Sequence, residues 1–272
     1  MLVLCALTGG CSLVVDSDRV QCTTDADCEA RGAAFAGATC SNSVCVQDAL
    51  WSCLDQPAQP PLTTGMFQAP FIVQHLVTQQ PLPGVHARLC RRIDVTCASP
   101  LGDDLVTDAS GQVTFSVPGG FDGYVAFDGP DIIHGLFFFN PPVAADLPQA
   151  MISIGSTEVI ALLALQAGAT QEPDRGVVLL GARDCTGAPA AGITFAVSGS
   201  DPAAIPFYSE QGLPSGTAQQ TDSAGYGGLL NAAAGSVTFT ATQAETGRRL
   251  GSVTLLAQEN AITYGSIAPD GG

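Results

Sequence analysis

The sequence predicts a mainly β protein: a small disulfide-rich module at the N-terminus, then two antiparallel β-sandwiches joined by a short helix. Three observations predict it. Apolar and polar residues alternate over short runs, Gly, Pro, Asn and Asp punctuate those runs, and cysteines crowd the first third of the chain. The chain has 272 residues, of which 46% are apolar and only 12% charged, with 31 Gly and 18 Pro. That length supports more than one core, and that composition supports many turns. The expected order is a signal over 1–11, a disulfide-rich module over 12–53, a Pro-rich linker over 54–67, a sandwich over 68–154, a helix over 155–170 and a second sandwich over 171–272.

The first ten residues, MLVLCALTGG, are apolar and end in small residues, and Cys11 and Ser12 follow. An apolar run closed by small residues is an export signal. Thr8-Gly9-Gly10-Cys11 resembles the lipobox of bacterial lipoproteins, with Leu7 one place further out than in the commonest pattern. No Lys or Arg precedes the run, so the leader is expected to be incomplete at its start. The resemblance implies that Cys11 is diacylated and that outer-membrane lipid is a partner, with Ser12 suiting outer-membrane sorting. Acyl chains bury methylenes at about 0.8 kcal/mol each, and two or more chains hold a protein stably.

Ten cysteines are present. Cys5 departs with the signal and Cys11 carries the lipid, leaving an even number in an exported chain, which favours disulfides over metal or catalysis. Cys22, Cys28, Cys40 and Cys45 cluster as C-x5-C-x11-C-x4-C. So short a segment cannot bury a sufficient core, and each bridge would contribute about 2–4 kcal/mol in place of packing. Zinc, the competing reading, prefers close cysteine pairs and often His, and no His lies here. By spacing alone these four cysteines allow three connectivities. The stretch resembles the Cys-rich modules that follow the lipobox in surface lipoproteins of myxobacteria and related groups, matched at Cys22, Asp25, Asp27, Cys28, Cys40 and Cys45. That resemblance implies pairs Cys22–Cys40 and Cys28–Cys45. Asp25 and Asp27 suit a turn, bonding nearby N–H groups, more than calcium. Cys90 and Cys97 are expected to close a local loop, and Cys53 and Cys185 are left by elimination.

Asp55 to Leu62 is Pro-rich and reads as an extended spacer. Beyond it, Val85, Ala87 and Leu89 alternate with His86 and Arg88, Val113, Phe115 and Val117 with Thr114 and Ser116, and Val237, Phe239 and Ala241 with Thr238 and Thr240. This period buries one face of a strand and wets the other. A weak repeat is visible: Thr107-Asp-Ala-Ser-Gly111 and Thr221-Asp-Ser-Ala-Gly225 share the form T-D-x-x-G, each before a strand, with a turn near Cys97 and another near Cys185 upstream. Gly111 and Gly225 suit positive φ, with the Asp capping the turn. The order resembles carboxypeptidase regulatory-like domains, which are Ig- or transthyretin-like sandwiches, and the resemblance covers the chain beyond the spacer. Related pilin domains of the collagen-adhesin B type carry a Lys–Asn isopeptide bond, impossible here because all nine basic residues are Arg.

Ser156 to Gly168 reads as a helix, with Ser156 or Thr157 as cap, Glu158 in the first turn and Gly168 at the stop. Its apolar residues nearly encircle it, so it is expected to be buried, wedged between the sandwiches. On length alone a central strand is the alternative.

The search for chemistry yields little. Net charge is −16, which offers no cationic footprint for nucleic acid. His75, His86 and His134 lie at no metal-ligand spacing, and no G-x-S-x-G elbow or dinucleotide fingerprint occurs. His86 is expected to face solvent. Asp103, Asp104 and Asp108 could be offered to calcium, but the EF-hand order is missing. Phe137, Phe138 and Phe139 are the most unusual apolar cluster, a candidate binding patch if exposed, and Tyr208 is a weaker one. A strand covered on both faces is the alternative reading. The expected function is a lipid-anchored protein of the cell envelope with a structural or ligand-binding display role, no catalysis, no cofactor and no metal. An adhesion module binding an envelope protein or polysaccharide is the second reading, and an envelope hydrolase the third.

Overall fold

The computed structural model describes residues 20–32, 35, 38–46, 49–54 and 64–269. The expected signal, Cys11 and most of the Pro-rich spacer lie outside these residues. The chain divides into two compact units, one ending at Asp48 and one beginning at Ala49.

The N-terminal unit holds helix α1 (Asp25–Glu29) and a hairpin of β1 (Thr39–Ser41) and β2 (Val44–Val46). Cys22 bonds Cys40 and Cys28 bonds Cys45, with Cα atoms 5.7 and 5.5 Å apart. Its core is little more than these sulfurs, Ala38 and Phe35, so covalent links take the place of apolar burial.

The larger unit begins with a 3-10 turn (Ala49–Trp51) and contains fifteen strands and one further helix. These are β3 (Met66–His75), β4 (His86–Arg91), β5 (Leu105–Val106), β6 (Gln112–Pro118), β7 (Gly123–Asp128), β8 (His134–Phe138), β9 (Ala150–Ile154), α2 (Thr157–Gln166), β10 (Gly176–Ala182), β11 (Ile193–Ser198), β12 (Ile205–Glu210), β13 (Leu213–Ser215), β14 (Tyr226–Ala232), β15 (Gly235–Gln243), β16 (Arg249–Ala257) and β17 (Ala261–Ile267). A nine-stranded sheet in the order β13-β12-β14-β10-β17-β8-β7-β4-β5 runs through both halves, flanked by three-stranded sheets β6-β3-β9 and β11-β15-β16. The halves meet where β17 pairs in parallel with β8, Ile262 opposite Gly135 and Thr263 opposite Leu136.

Burial follows from this layering. One core lies between the β6-β3-β9 sheet, α2 and one face of the long sheet, and joins Phe71, Phe115, Val125, Phe127, Ile154, Ile160 and Ile262. A second core lies between the β11-β15-β16 sheet and the other face, joining Tyr124, Leu136, Phe138, Val178, Leu229, Phe239 and Leu255. Strands of the long sheet are covered twice, so β7, β10 and β14 are almost continuously buried and read as unbroken apolar runs. β6 is covered once and alternates strictly, exposed at Gln112, Thr114, Ser116 and Pro118.

The repeat is real down to single hydrogen bonds. Thr107 Oγ1 accepts from Val85 N–H and donates to the Leu82 carbonyl, and Thr221 Oγ1 does the same with Ile193 and Ala190. Gly84 N–H bonds the Thr107 carbonyl as Gly192 N–H bonds that of Thr221. Gly111 and Gly225 have φ of +72° and +74°, and a Cβ there would lie 2.4 and 2.9 Å from the carbonyl oxygens of Val73 and Ala182. β3, β4, β6, β7, β8 and β9 thus correspond to β10, β11, β14, β15, β16 and β17. This corrects the upstream alignment read from the cysteines. The turn at Cys185 corresponds to Pro81–Gly84, because Leu82 and Ala190 make matching bonds to Val73 and Ala182, while Cys97 lies one strand later.

Helix α2 forms where expected, and Ser156 caps it through Val159 N–H. It is not buried all round. Ile160 and Ala164 enter the first core, but Leu162 and Leu165 are 63% and 61% exposed. The helix lies over the outside of a sheet, which gives it neighbours on one face only.

Candidate functional site

The densest convergence of side chains is the seam between the halves. Cys90, at the end of β4, bonds Cys97, with Cα atoms 5.3 Å apart, and closes a loop that holds Arg92 against the second half. Arg92 Nη1 donates to the Thr254 carbonyl on β16 at 2.6 Å, and its Nε donates to Asp122 at 2.6 Å. Its guanidinium also lies 5.2 Å from the centre of the Phe138 ring, a cation–π distance. Gln258 donates to the Val95 carbonyl of the same loop. Asn140 and Ser266 exchange side-chain to carbonyl bonds at 2.8 and 2.9 Å. Tyr264 O–H donates to the Ser153 carbonyl at 2.6 Å, and burial raises its phenol above the ordinary range. Tyr124 O–H donates to the Asp94 carbonyl at 2.6 Å, and burial and then the Asp94 charge push its phenol up to about 12.

A further staple ties the start of this unit to its second half. Cys53 bonds Cys185 across 132 residues, and Cys185 N–H donates to the Leu50 carbonyl. Residues 49–54 are therefore part of the larger unit.

The expected aromatic patch is not on the surface. Phe138 and Phe139 are 1% and 3% exposed. Phe138 stacks on Tyr124 in the second core at 4.9 Å, while Phe137 and Phe139 meet Phe71 edge-on in the first at 5.2 and 6.3 Å. β8 lies inside the long sheet, so successive side chains enter opposite cores. Tyr208 is also buried. Its ring stacks on Phe195 at 5.7 Å and its oxygen accepts from Phe195 N–H at 2.8 Å.

The titratable groups serve structure. His134 Nδ1 contacts Asp128, which also receives Arg88. Burial opposes ionisation of Asp128, but His134 and Arg88 outweigh it and hold the carboxyl below its usual range. His86 faces solvent beside Asp104, and His75 Nδ1 accepts from Val77 and Thr78 N–H. Asp108 caps its turn through Ser110 and Gln112 N–H, and among the described residues Asp103, Asp104 and Asp108 form no metal-like grouping. Asp27 accepts from Thr23 and Thr24 N–H and from the Thr23 hydroxyl, which lowers it to about 2, and Asp25 accepts from Cys40 N–H. Cys22, Cys28 and Cys45 are the metal-like grouping among the described residues, and their sulfurs are spent in disulfides. A depression of about 540 Å³ between Arg91–Ile93 and Pro118–Asp122 and a smaller one of about 210 Å³ beside Ile160 and Arg175 contain no His, Cys or Ser. No described helix is long and apolar enough to cross a membrane.

Sequence reasoning missed Arg92, the paired Thr107 and Thr221 hydroxyls and the Arg88–Asp128–His134 cluster. The available signal for Arg92 was two adjacent Arg inside a short cysteine-closed loop, in a chain with nine basic residues.

No family model and no curated protein matches this sequence. Similar solved structures include the Bacillus anthracis TIE protein, 12% identical, with 75% of this chain and 34% of that one covered and a TM-score of 0.25. The Streptococcal ancillary pilin is 15% identical over 75% of this chain and 63% of that one, with a TM-score of 0.23. The shaft pilin SpaA from Lactobacillus rhamnosus GG is 11% identical over 75% and 98%, with a TM-score of 0.26. The chain thus spans about a third of the TIE protein and under two thirds of the ancillary pilin. What stands established is the architecture: a mainly β protein of several sheets with disulfide staples.

Proposed function

We propose that this chain is a lipid-anchored display protein of the cell envelope, with a structural or ligand-presenting role and no catalysis. The observation that carries the reading is that all eight cysteines after Cys11 are paired, as Cys22–Cys40, Cys28–Cys45, Cys53–Cys185 and Cys90–Cys97. Disulfides of this density form and persist in oxidising compartments. A sheet shared by both halves and locked at its seam suits an object that holds its shape under load. Cys11 is the proposed attachment to outer-membrane lipid, on the periplasmic or the surface face, and an envelope protein or polysaccharide is the proposed partner. Labelling cells with radioactive palmitate tests the anchor: the wild type is expected to be labelled and Cys11→Ala not. Label that persists in Cys11→Ala, or several free thiols in the unreduced, denatured mature protein, would overturn the reading.

A further inference from the structure

Five of the six sheet edges in the larger unit carry a guard. On β16 the outward carbonyls of Thr254 and Leu256 are taken by Arg92 and by the Thr263 hydroxyl. On β11 the outward N–H groups of Ile193 and Phe195 are taken by Thr221 and Tyr208. β13 contains Pro214, β5 is two residues long, and on β9 the Ser153 carbonyl is taken by Tyr264. β6 is different. Val73 N–H bonds the Gly111 carbonyl and Gly119 N–H bonds that of Gly65, so odd-numbered residues of β6 face β3. The N–H and C=O groups of Thr114 and Ser116 therefore point away from the sheet, and no described residue meets them. Pro118 and Gln112, at the two ends, are already engaged by Phe121 and Asp108.

The second half shows what such an edge accepts. With Gly111 equivalent to Gly225, Thr114 and Ser116 are equivalent to Gly228 and Leu230. Those two pair with Phe207 and Ile205 of β12, an antiparallel strand that the first half lacks. We propose that a second copy of this chain fills the vacant place, β6 against β6 about a two-fold axis, with Thr114 opposite Ser116 of the other copy and four backbone hydrogen bonds between them. A two-fold axis makes the pair antiparallel, as β12 is to β14, and makes the surface self-complementary. The edge side chains Gln112, Thr114 and Ser116 are uncharged in a chain of net charge −16, so this strand meets its copy without like charges face to face. The β3–β6 register runs without a bulge, and no Lys guards it. One strand pair buries an area at the low end for specific interfaces, so the dimer is weak and concentration-dependent.

The test is sedimentation velocity over a wide concentration range on the full mature chain, carrying Cys11→Ser so that acyl chains do not associate. The expected result is a monomer–dimer equilibrium that Thr114→Glu with Ser116→Glu abolishes. Thr114→Lys with Ser116→Glu restores it, about two- to tenfold tighter than wild type, because each Lys then faces a Glu across the axis in this register alone. Hydrogen exchange on the Cys11→Ser chain with β6 unchanged is a second arm that no folding defect can confuse: protection of the Thr114 and Ser116 amides should rise with concentration. A chain that stays monomeric throughout, two charge variants that dimerise alike, or a dimer whose Thr114 and Ser116 amides stay unprotected would each overturn the proposal. A free thiol or unlabelled Cys11 bears on the display reading and leaves this one untouched.

Discussion

Replacing Thr221 by Val removes one hydroxyl and little volume. Thr221 is 2% exposed, and its Oγ1 accepts from Ile193 N–H at 3.0 Å and donates to the Ala190 carbonyl at 2.7 Å. Val satisfies neither, so a buried donor and a buried acceptor lose their partner. An unsatisfied buried group costs about 1–3 kcal/mol, so two such groups in the lower part of that range cost about 3 kcal/mol together. For a body of this size that is a fall in Tm of about 6–12 °C. Thr221→Ser keeps both bonds and loses a methyl, a cost of about 1 kcal/mol. Thr107 is 4% exposed and makes the same two bonds at 2.9 and 2.6 Å, so Thr107→Val should cost as much. Urea unfolding of the oxidised protein, read by circular dichroism, measures these three variants and Thr107→Ser. The reasoning is refuted if Val is no worse than Ser at either position, because the hydroxyl would then not be what closes the turn.

Three other outcomes follow from the same structure. Cys53→Ala with Cys185→Ala opens a loop of 132 residues and should lower stability by up to about 5 kcal/mol in urea unfolding, more than opening the Cys90–Cys97 loop of 7. Arg92→Ala should cost about 1–2 kcal/mol, and Arg92→Lys nearly as much because an ammonium cannot serve Thr254, Asp122 and the Phe138 ring together; hydrogen exchange should quicken around Thr254. In an ultraviolet alkaline titration Tyr124 should ionise only near 12, with Tyr208 and Tyr264 also above the usual value of 10. Because the fold favours the neutral phenols, their stabilisation is whole below pH 10 and is lost as pH climbs through the raised values, which thermal melts across that range would show.

Local signals in this chain were dependable where the physics is local. Alternation over Val113–Val117 marked a strand covered on one face, the T-D-x-x-G runs marked turns that need positive φ at Gly111 and Gly225, and Ser156 with Gly168 bracketed a helix. The parity of the cysteines pointed to disulfides for the same reason, since it depends on compartment and chain chemistry more than on shape. Periodicity also reports how many faces of an element are covered, which is why Phe137–Phe139 could be read as exposed patch or doubly covered strand and no further.

What covers an element is a non-local matter. That β17 pairs with β8, that Phe138 meets Tyr124 while Phe137 meets Phe71, and that Arg92 reaches Thr254 all join residues distant in the chain. Helix α2 shows the limit from the other side: apolar on nearly all faces, it keeps Leu162 and Leu165 in solvent because only one flank of a sheet lies beneath it. The sequence by itself determined the β class, the turns and the reliance on sulfur. Only the tertiary structure decided that the two halves share one sheet, because edge pairing depends on which backbone groups are left unpaired once each half has folded.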